Sequence, residues 1–211
     1  MQVVASLLVT LAIAAPAQAA SVCTSYADEL AIMVEAAEAV RSRVDYLAPP
    51  EDPLAARRLA QLELVERDNA ARLASLMAAC GWPRRSVEGA QAARSAWLVA
   101  QQRGEDLAFQ RQVVRQLELA ALDGEAPVMH LATASDRLAA REGRPQRYGT
   151  QLRQVDACSW DYYPLDDVAR VEARRKRLGL PSLDDHQRAI NAMIIKENCL
   201  APRLHTPSTQ R

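Results

Sequence analysis

Apolar side chains recur along most of this chain at three- and four-residue intervals, the spacing that lines one face of an α-helix. Leu30, Val34, Ala37 and Val44 give the first such run, from Ser25 to about Val44, which Ala48-Pro49-Pro50 ends because proline cannot continue a helix. Asp52-Pro53 then supplies a capping carboxylate and a proline suited to a first turn. The second helix extends to about Ala79, with Leu59, Leu62, Val65, Leu73 and Leu76 as its buried stripe and Gly81 as its stop. A third, opened by Ser86 with Gly89, is predicted through Trp97 to Gln102 and is closed by Gly104. A fourth runs from Asp106 to Leu122 on Leu107, Val114, Leu117 and Ala121. A fifth runs from Pro127 to Glu142, ended by Gly143.

The pattern then changes. Tyr148, Trp160, Tyr162 and Tyr163 crowd a short stretch, and aromatic residues favour extended structure. Tyr148–Val155 and Trp160–Leu165 are read as a small hairpin turning near Asp156-Ala157. A basic helix follows from Val168 to Leu178, capped by Asp166 or Asp167, and Ser182 caps a last helix to about Asn198. The residues from Ala201 to Arg211 read as a disordered tail. No repeat or long linker interrupts residues 20–200, so the expectation is a single, mainly α, bundle-like domain with one small hairpin after the fifth helix.

Composition supports the helical reading. Of 211 residues 40 are alanine, seven glycine and one phenylalanine, so the apolar fraction is largely helix-forming methyl groups. Lys and Arg number 26 against 26 Asp and Glu. That balance lacks the basic footprint of a nucleic-acid partner.

Residues 1–19 carry no charged side chain, and an apolar run from Val3 to Ala15 leads into Pro16-Ala17-Gln18-Ala19. Alanines at 17 and 19 suit the small pockets of a signal peptidase, with cleavage after Ala19 or Ala20. The departure is an amino-terminal region with no Lys or Arg. The rival, a retained anchor, needs a run long enough to cross about 30 Å of hydrocarbon, and this one is short. The expectation is export to the periplasm or beyond, with no stable membrane insertion after processing. In that oxidising setting Cys23, Cys80, Cys158 and Cys199 read as two disulfides rather than a metal site, since no two stand in a close pair. If Cys23 opens the first helix and Cys80 closes the second, a helical hairpin brings them together, and Cys158 is left for Cys199.

No strong catalytic motif is present: no phosphate-binding glycine loop, no Gly-x-Ser-x-Gly elbow, no paired zinc histidines. His130 is the histidine most worth weighing. It shares a helical stripe with Ala134, Arg137 and Arg141, whereas Asp136 falls on another face. The densest polar cluster is Gly143-Arg144-Pro145-Gln146-Arg147-Tyr148-Gly149-Thr150-Gln151. Asp68 and Arg72 form an i, i+4 pair, Trp97 and Gln101 share a face, and Gln110 interrupts an apolar stripe and needs a partner. The run Arg170–Arg177 reads as a solvated basic face rather than a phosphate site.

Several of these pieces together resemble a bacterial domain family of unknown function. The resemblance rests on Leu64-Val65-Glu66-Arg67-Asp68-Asn69, Gly81-Trp82-Pro83, Ala96–Gln101, Phe109-Gln110, His130-Leu131-Ala132, Asp136-Arg137, the Gln146-x-Tyr148-Gly149-Thr150-Gln151 element and Tyr163-Pro164-Leu165, with Arg174-Arg175 and Gly179-Leu180-Pro181 beyond. It spans roughly residues 54–183 and implies a helical domain, without an activity, substrate or cofactor. One position departs: the family pattern commonly has histidine after the glutamine matching Gln101, and this chain has Gln102.

The functional expectation is recognition of a small molecule or peptide segment through a polar pocket lined by Gln101, Arg137, Gln146, Tyr148 and Gln151, with no cofactor or metal required. The rivals are a hydrolase using His130 with Asp68 or Asp136, and a structural or partner-binding domain.

Overall fold

The computed structural model describes residues 22–155 and 160–198. The predicted leader (residues 1–19), the predicted turn at Asp156-Ala157, Cys158 and Cys199 with their predicted bond, and the predicted tail lie outside the described residues. Seven helices and a two-stranded hairpin follow one another there: α1 (Tyr26–Arg41), α2 (Pro53–Cys80), α3 (Gly89–Gln102), α4 (Leu107–Leu122), α5 (Val128–Arg141), β1 (Leu152–Gln154), β2 (Trp160–Tyr162), α6 (Val168–Arg177) and α7 (Leu183–Asn198). The protein is mainly α. Its helix starts follow the sequence signals. Asp52 accepts from the Leu54 N–H at 2.8 Å, Asp106 from Phe109 at 3.0 Å, Asp167 from Arg170 at 3.0 Å, and Ser182 Oγ from Asp185 at 3.1 Å.

The chain forms two compact units, one ending at Val99 and one beginning at Ala100. In the first, α1 buries Tyr26, Leu30, Met33, Ala37 and Val40, and α2 buries Leu62, Ala70, Leu73, Leu76 and Met77. Leu59 departs from the predicted stripe at 42% exposure, and Val34, Val44 and Val65 are half-buried. The hairpin is tied at one end by the Cys23–Cys80 disulfide, with Cα atoms 5.7 Å apart, and by the Tyr26 hydroxyl donating to the Gly81 carbonyl at 3.1 Å. Midway, buried Asn69 donates to the Met33 carbonyl at 2.8 Å. The pair predicted between Asp68 and Arg72 does not form: Arg72 reaches across to Glu29 with two bonds, at 2.5 and 2.7 Å, and Asp68 pairs with Arg67. A bidentate pair to a neighbouring helix outcompetes a single exposed i, i+4 contact. The Arg72 guanidinium holds the Glu29 carboxyl below its ordinary value, against a smaller opposing effect of burial.

In the second unit α4 and α5 pack on each other. The buried face of α4 is Phe109, Gln110, Val113, Leu117 and Ala120, about one position earlier than the predicted stripe, and Leu107, Val114 and Ala121 are half-buried. Gln110 finds the partner its burial demands. Its amide donates to the carbonyls of Ala100 at 2.8 Å and Arg103 at 3.0 Å, satisfying the open end of α3.

The hairpin is shorter than predicted. Leu152 pairs with Tyr162, Arg153 with Asp161 and Gln154 with Trp160. Tyr148 lies outside the strand because residues 146–151 wrap the end of α5 instead. Pro164 and Asp166 leave β2 to bond Gln146 on both sides: Gln146 N–H to Pro164 O at 2.8 Å and Asp166 N–H to Gln146 O at 2.9 Å.

Candidate functional site

α5 carries two of the predicted site residues side by side, and the fold uses them in opposite ways. Asp136 is fully buried. One carboxylate oxygen accepts the backbone N–H groups of Arg147 (2.8 Å) and Tyr148 (3.1 Å); the other accepts the N–H (2.9 Å) and hydroxyl (3.0 Å) of Thr150. Gly143 releases the chain from α5, and Gly149 at φ +64° lets it double back over the carboxylate. A Cβ at Gly149 would stand 2.5 Å from Leu183 Cδ2, so the corner also rests closely on α7. Burial pushes the Asp136 carboxyl above its ordinary value, opposed by the four donors from the corner.

Gln146, also fully buried, locks the same corner. Its amide nitrogen donates to the carbonyls of Gln151 (3.0 Å) and Tyr163 (2.9 Å), and its oxygen accepts the Gln151 N–H at 2.8 Å. Gln151 in turn donates its side-chain amide to Thr150 Oγ1 at 3.0 Å. From below, buried Arg175 donates to the carbonyls of Tyr148 (2.6 Å), Gly149 (3.0 Å) and Pro181 (2.6 Å). The basic run hid this residue among four adjacent cations. The available signal was its i+4 spacing from Val171, which is fully buried on the same face. Tyr148 is nearly buried, with the Arg147 guanidinium 5.8 Å from its ring centre.

Arg137 is different. It is half-buried, and among the described residues its guanidinium makes one hydrogen bond, a long one of 3.4 Å to Gln101 Oε1. Its stem lies against Gly104. Burial pulls its pKa below the ordinary arginine value, and the charge of Arg141 acts in the same direction. The other arginines of this unit that are buried or half-buried all meet strong acceptors: Arg103 meets Glu105 at 2.9 Å, Arg174 meets Asp166 at 2.8 Å, and Arg175 has its carbonyls. Beside Gln101, the Gln102 side-chain oxygen is buried with no hydrogen-bond partner among the described residues. That is the position where the resemblance leads one to expect histidine. His130 is half-buried one stripe position from Ala134, and burial holds its imidazole below the ordinary value of 6.5.

The structure therefore brings Gln101 and Arg137 together, and separately joins Asp136, Gln146 and Gln151 with the Tyr148 backbone into one hydrogen-bonded corner. Asp68 belongs to the first unit, where its exposed carboxylate pairs with Arg67 at 3.1 Å. Among the described residues no group of three His, Cys, Asp or Glu side chains is placed to hold a metal ion, and no helix is long and apolar enough to cross a membrane.

These features define a disulfide-tied, mainly α protein with an internally saturated polar corner and an undercoordinated arginine beside it in sequence. The chain belongs to a family of unknown function (DUF6624), whose model matches residues 24–196, wider at both ends than the 54–183 of the motif resemblance. No curated protein and no solved structure matches the chain.

Proposed function

We propose that this protein is an exported recognition domain that binds a small molecule or peptide segment through an anionic group, held by Arg137 and oriented by Gln101. The observation that supports it is the unmatched charge of Arg137. A guanidinium has five donors, and holding it half out of water with one long neutral contact is unfavourable unless an anion completes it. The corner bearing Gln146, Tyr148 and Gln151 serves as the rigid support of this site, since their backbone and amide groups are engaged internally.

Export is supported by the apolar leader with its Ala-x-Ala ending and by the Cys23–Cys80 bond, which persists in oxidising compartments. The hydrolase alternative has weaker support. Orienting an imidazole requires a carboxylate with a free lone pair, and both oxygens of Asp136 already accept two bonds each.

A thermal-shift screen of dicarboxylates, acidic amino acids and cell-wall peptide fragments tests the reading. An anionic compound should raise Tm in wild type and not in Arg137→Met. If no anion shifts Tm, or the shift survives in Arg137→Met, the proposal is wrong.

A further inference from the structure

The second unit has a concave feature lined by neither Gln101 nor Arg137. A groove of about 500 Å³ lies between α4 and the corner, lined by Arg115, Leu119, Leu122, Leu131, Arg147 and Tyr148, with Glu118 as its one acid. Arg115, Glu118, Leu119 and Leu122 stand at i, i+3, i+4 and i+7, so they form one face of α4, distinct from its buried face of Val113, Leu117 and Ala120. Leu119 is 62% exposed and Leu122 84% exposed. Two leucines this open beside an aromatic ring make an apolar strip of the kind that marks contact sites.

The charges around the strip are equally unmatched. Ion pairs of the second unit are made by Arg103, Arg111, Arg144, Arg170, Arg174 and Arg188. Neither Arg115 nor Arg147 meets a carboxylate among the described residues. Arg147 is also held in place. Its N–H is fixed on Asp136 at 2.8 Å, its carbonyl accepts from Arg174 at 3.3 Å, and its guanidinium lies by the Tyr148 ring. A preorganised cation loses less freedom on binding.

We propose that this groove is a docking site for an extended peptide segment in which the residues of one face, every second one along the chain, include both acidic and apolar side chains. Two cations and open leucines lining one groove call for carboxylates and apolar groups on the same face of the occupant. An extended chain presents such an arrangement because successive side chains alternate in direction and every second one faces the same way. A single-headed fatty acid would satisfy the leucines and only one arginine.

The test is fluorescence anisotropy on the full, disulfide-bonded protein with a fluorescein-labelled heptapeptide Glu-Ser-Leu-Ser-Glu-Ser-Leu, whose Glu and Leu share one face when extended, the same peptide with Lys for Glu as the Lys/Leu control, and octanoate as competitor. The Glu/Leu peptide should bind at least about tenfold more tightly than the Lys/Leu peptide. Leu122→Asp and Arg147→Glu, both at exposed side chains, should each weaken it by about tenfold or more while Tm stays at the wild-type value. Equal affinity for the two peptides, absence of binding, or binding that both variants leave unchanged overturns the proposal. Displacement by octanoate at concentrations near that of the peptide also overturns it, by assigning the groove to a lipid-like carboxylate.

Discussion

Asp136 and Arg137 are adjacent in sequence and carry opposite charges, one fully and one half buried, yet among the described residues the first has four donors and the second a single long contact. The corner around Asp136 is what a fold does with a buried charge when stability is at stake: it brings three backbone N–H groups and a hydroxyl to the carboxylate. The Gln101–Arg137 contact lacks that completion. The lesson is that polarity and burial together do not identify a site; the unfilled hydrogen-bonding capacity of a group held in place does.

The largest effect that would test the contrast is Asp136→Ala. It strands three N–H groups and a hydroxyl, and should cost about 3–5 kcal/mol in urea unfolding. Full stability in that variant would show that the corner does not depend on its carboxylate. Gly149→Ala should follow at about 2–4 kcal/mol, because it combines a left-handed backbone with a side chain driven into Leu183. Arg137→Met should go the other way or nowhere, within about 1 kcal/mol of wild type and on the stabilising side, since it removes an unmatched charge and keeps the stem. A loss comparable to that of Asp136→Ala would mean that Arg137 is as structural as its neighbour.

Acid gives the smallest effect. Burial holds His130 and His186 below the ordinary imidazole value of 6.5, His186 with help from the Arg175 charge. The unfolded chain therefore takes up these protons first. Stability should be full above that value and fall as pH drops below it toward the depressed folded values. Urea midpoints measured across this range should show the slope, and His130→Gln with His186→Gln should flatten it. Carboxylates such as Glu29 are lost only at lower pH, because their folded values lie below 4.5.

Much of the fold was legible because its signals are local. Asp52-Pro53, Asp106, Gly143 and Ser182 each act on the turn they belong to, and the helix boundaries fell within a few residues of them. The hairpin closed by Cys23 and Cys80 followed from helix lengths alone. The buried face of α4 lies about one residue away from the face its spacing predicts, because alanine and leucine surround that helix on several sides. Tyr148 lies outside the strand that its aromatic neighbourhood predicts, because composition does not register a carboxylate twelve residues earlier. The same distance explains the polar cluster. Gln146 and Gln151 looked like groups awaiting a ligand, and nothing in the linear order reveals that their acceptors are the carbonyls of Gln151 and Tyr163 and the hydroxyl of Thr150. Gln101 and Arg137 do meet, 36 positions apart.

The cradle over Asp136 is, in chemical terms, a small receptor whose guest happens to be tethered to a neighbouring helix. Its amides and hydroxyl are arranged by Gly149, Gln146 and Arg175 rather than by the guest. Formate or acetate added to the Asp136→Gly variant should therefore occupy the vacated space and restore part of the lost melting temperature, whereas chloride, a single spherical acceptor without a pair of oxygens, should restore less.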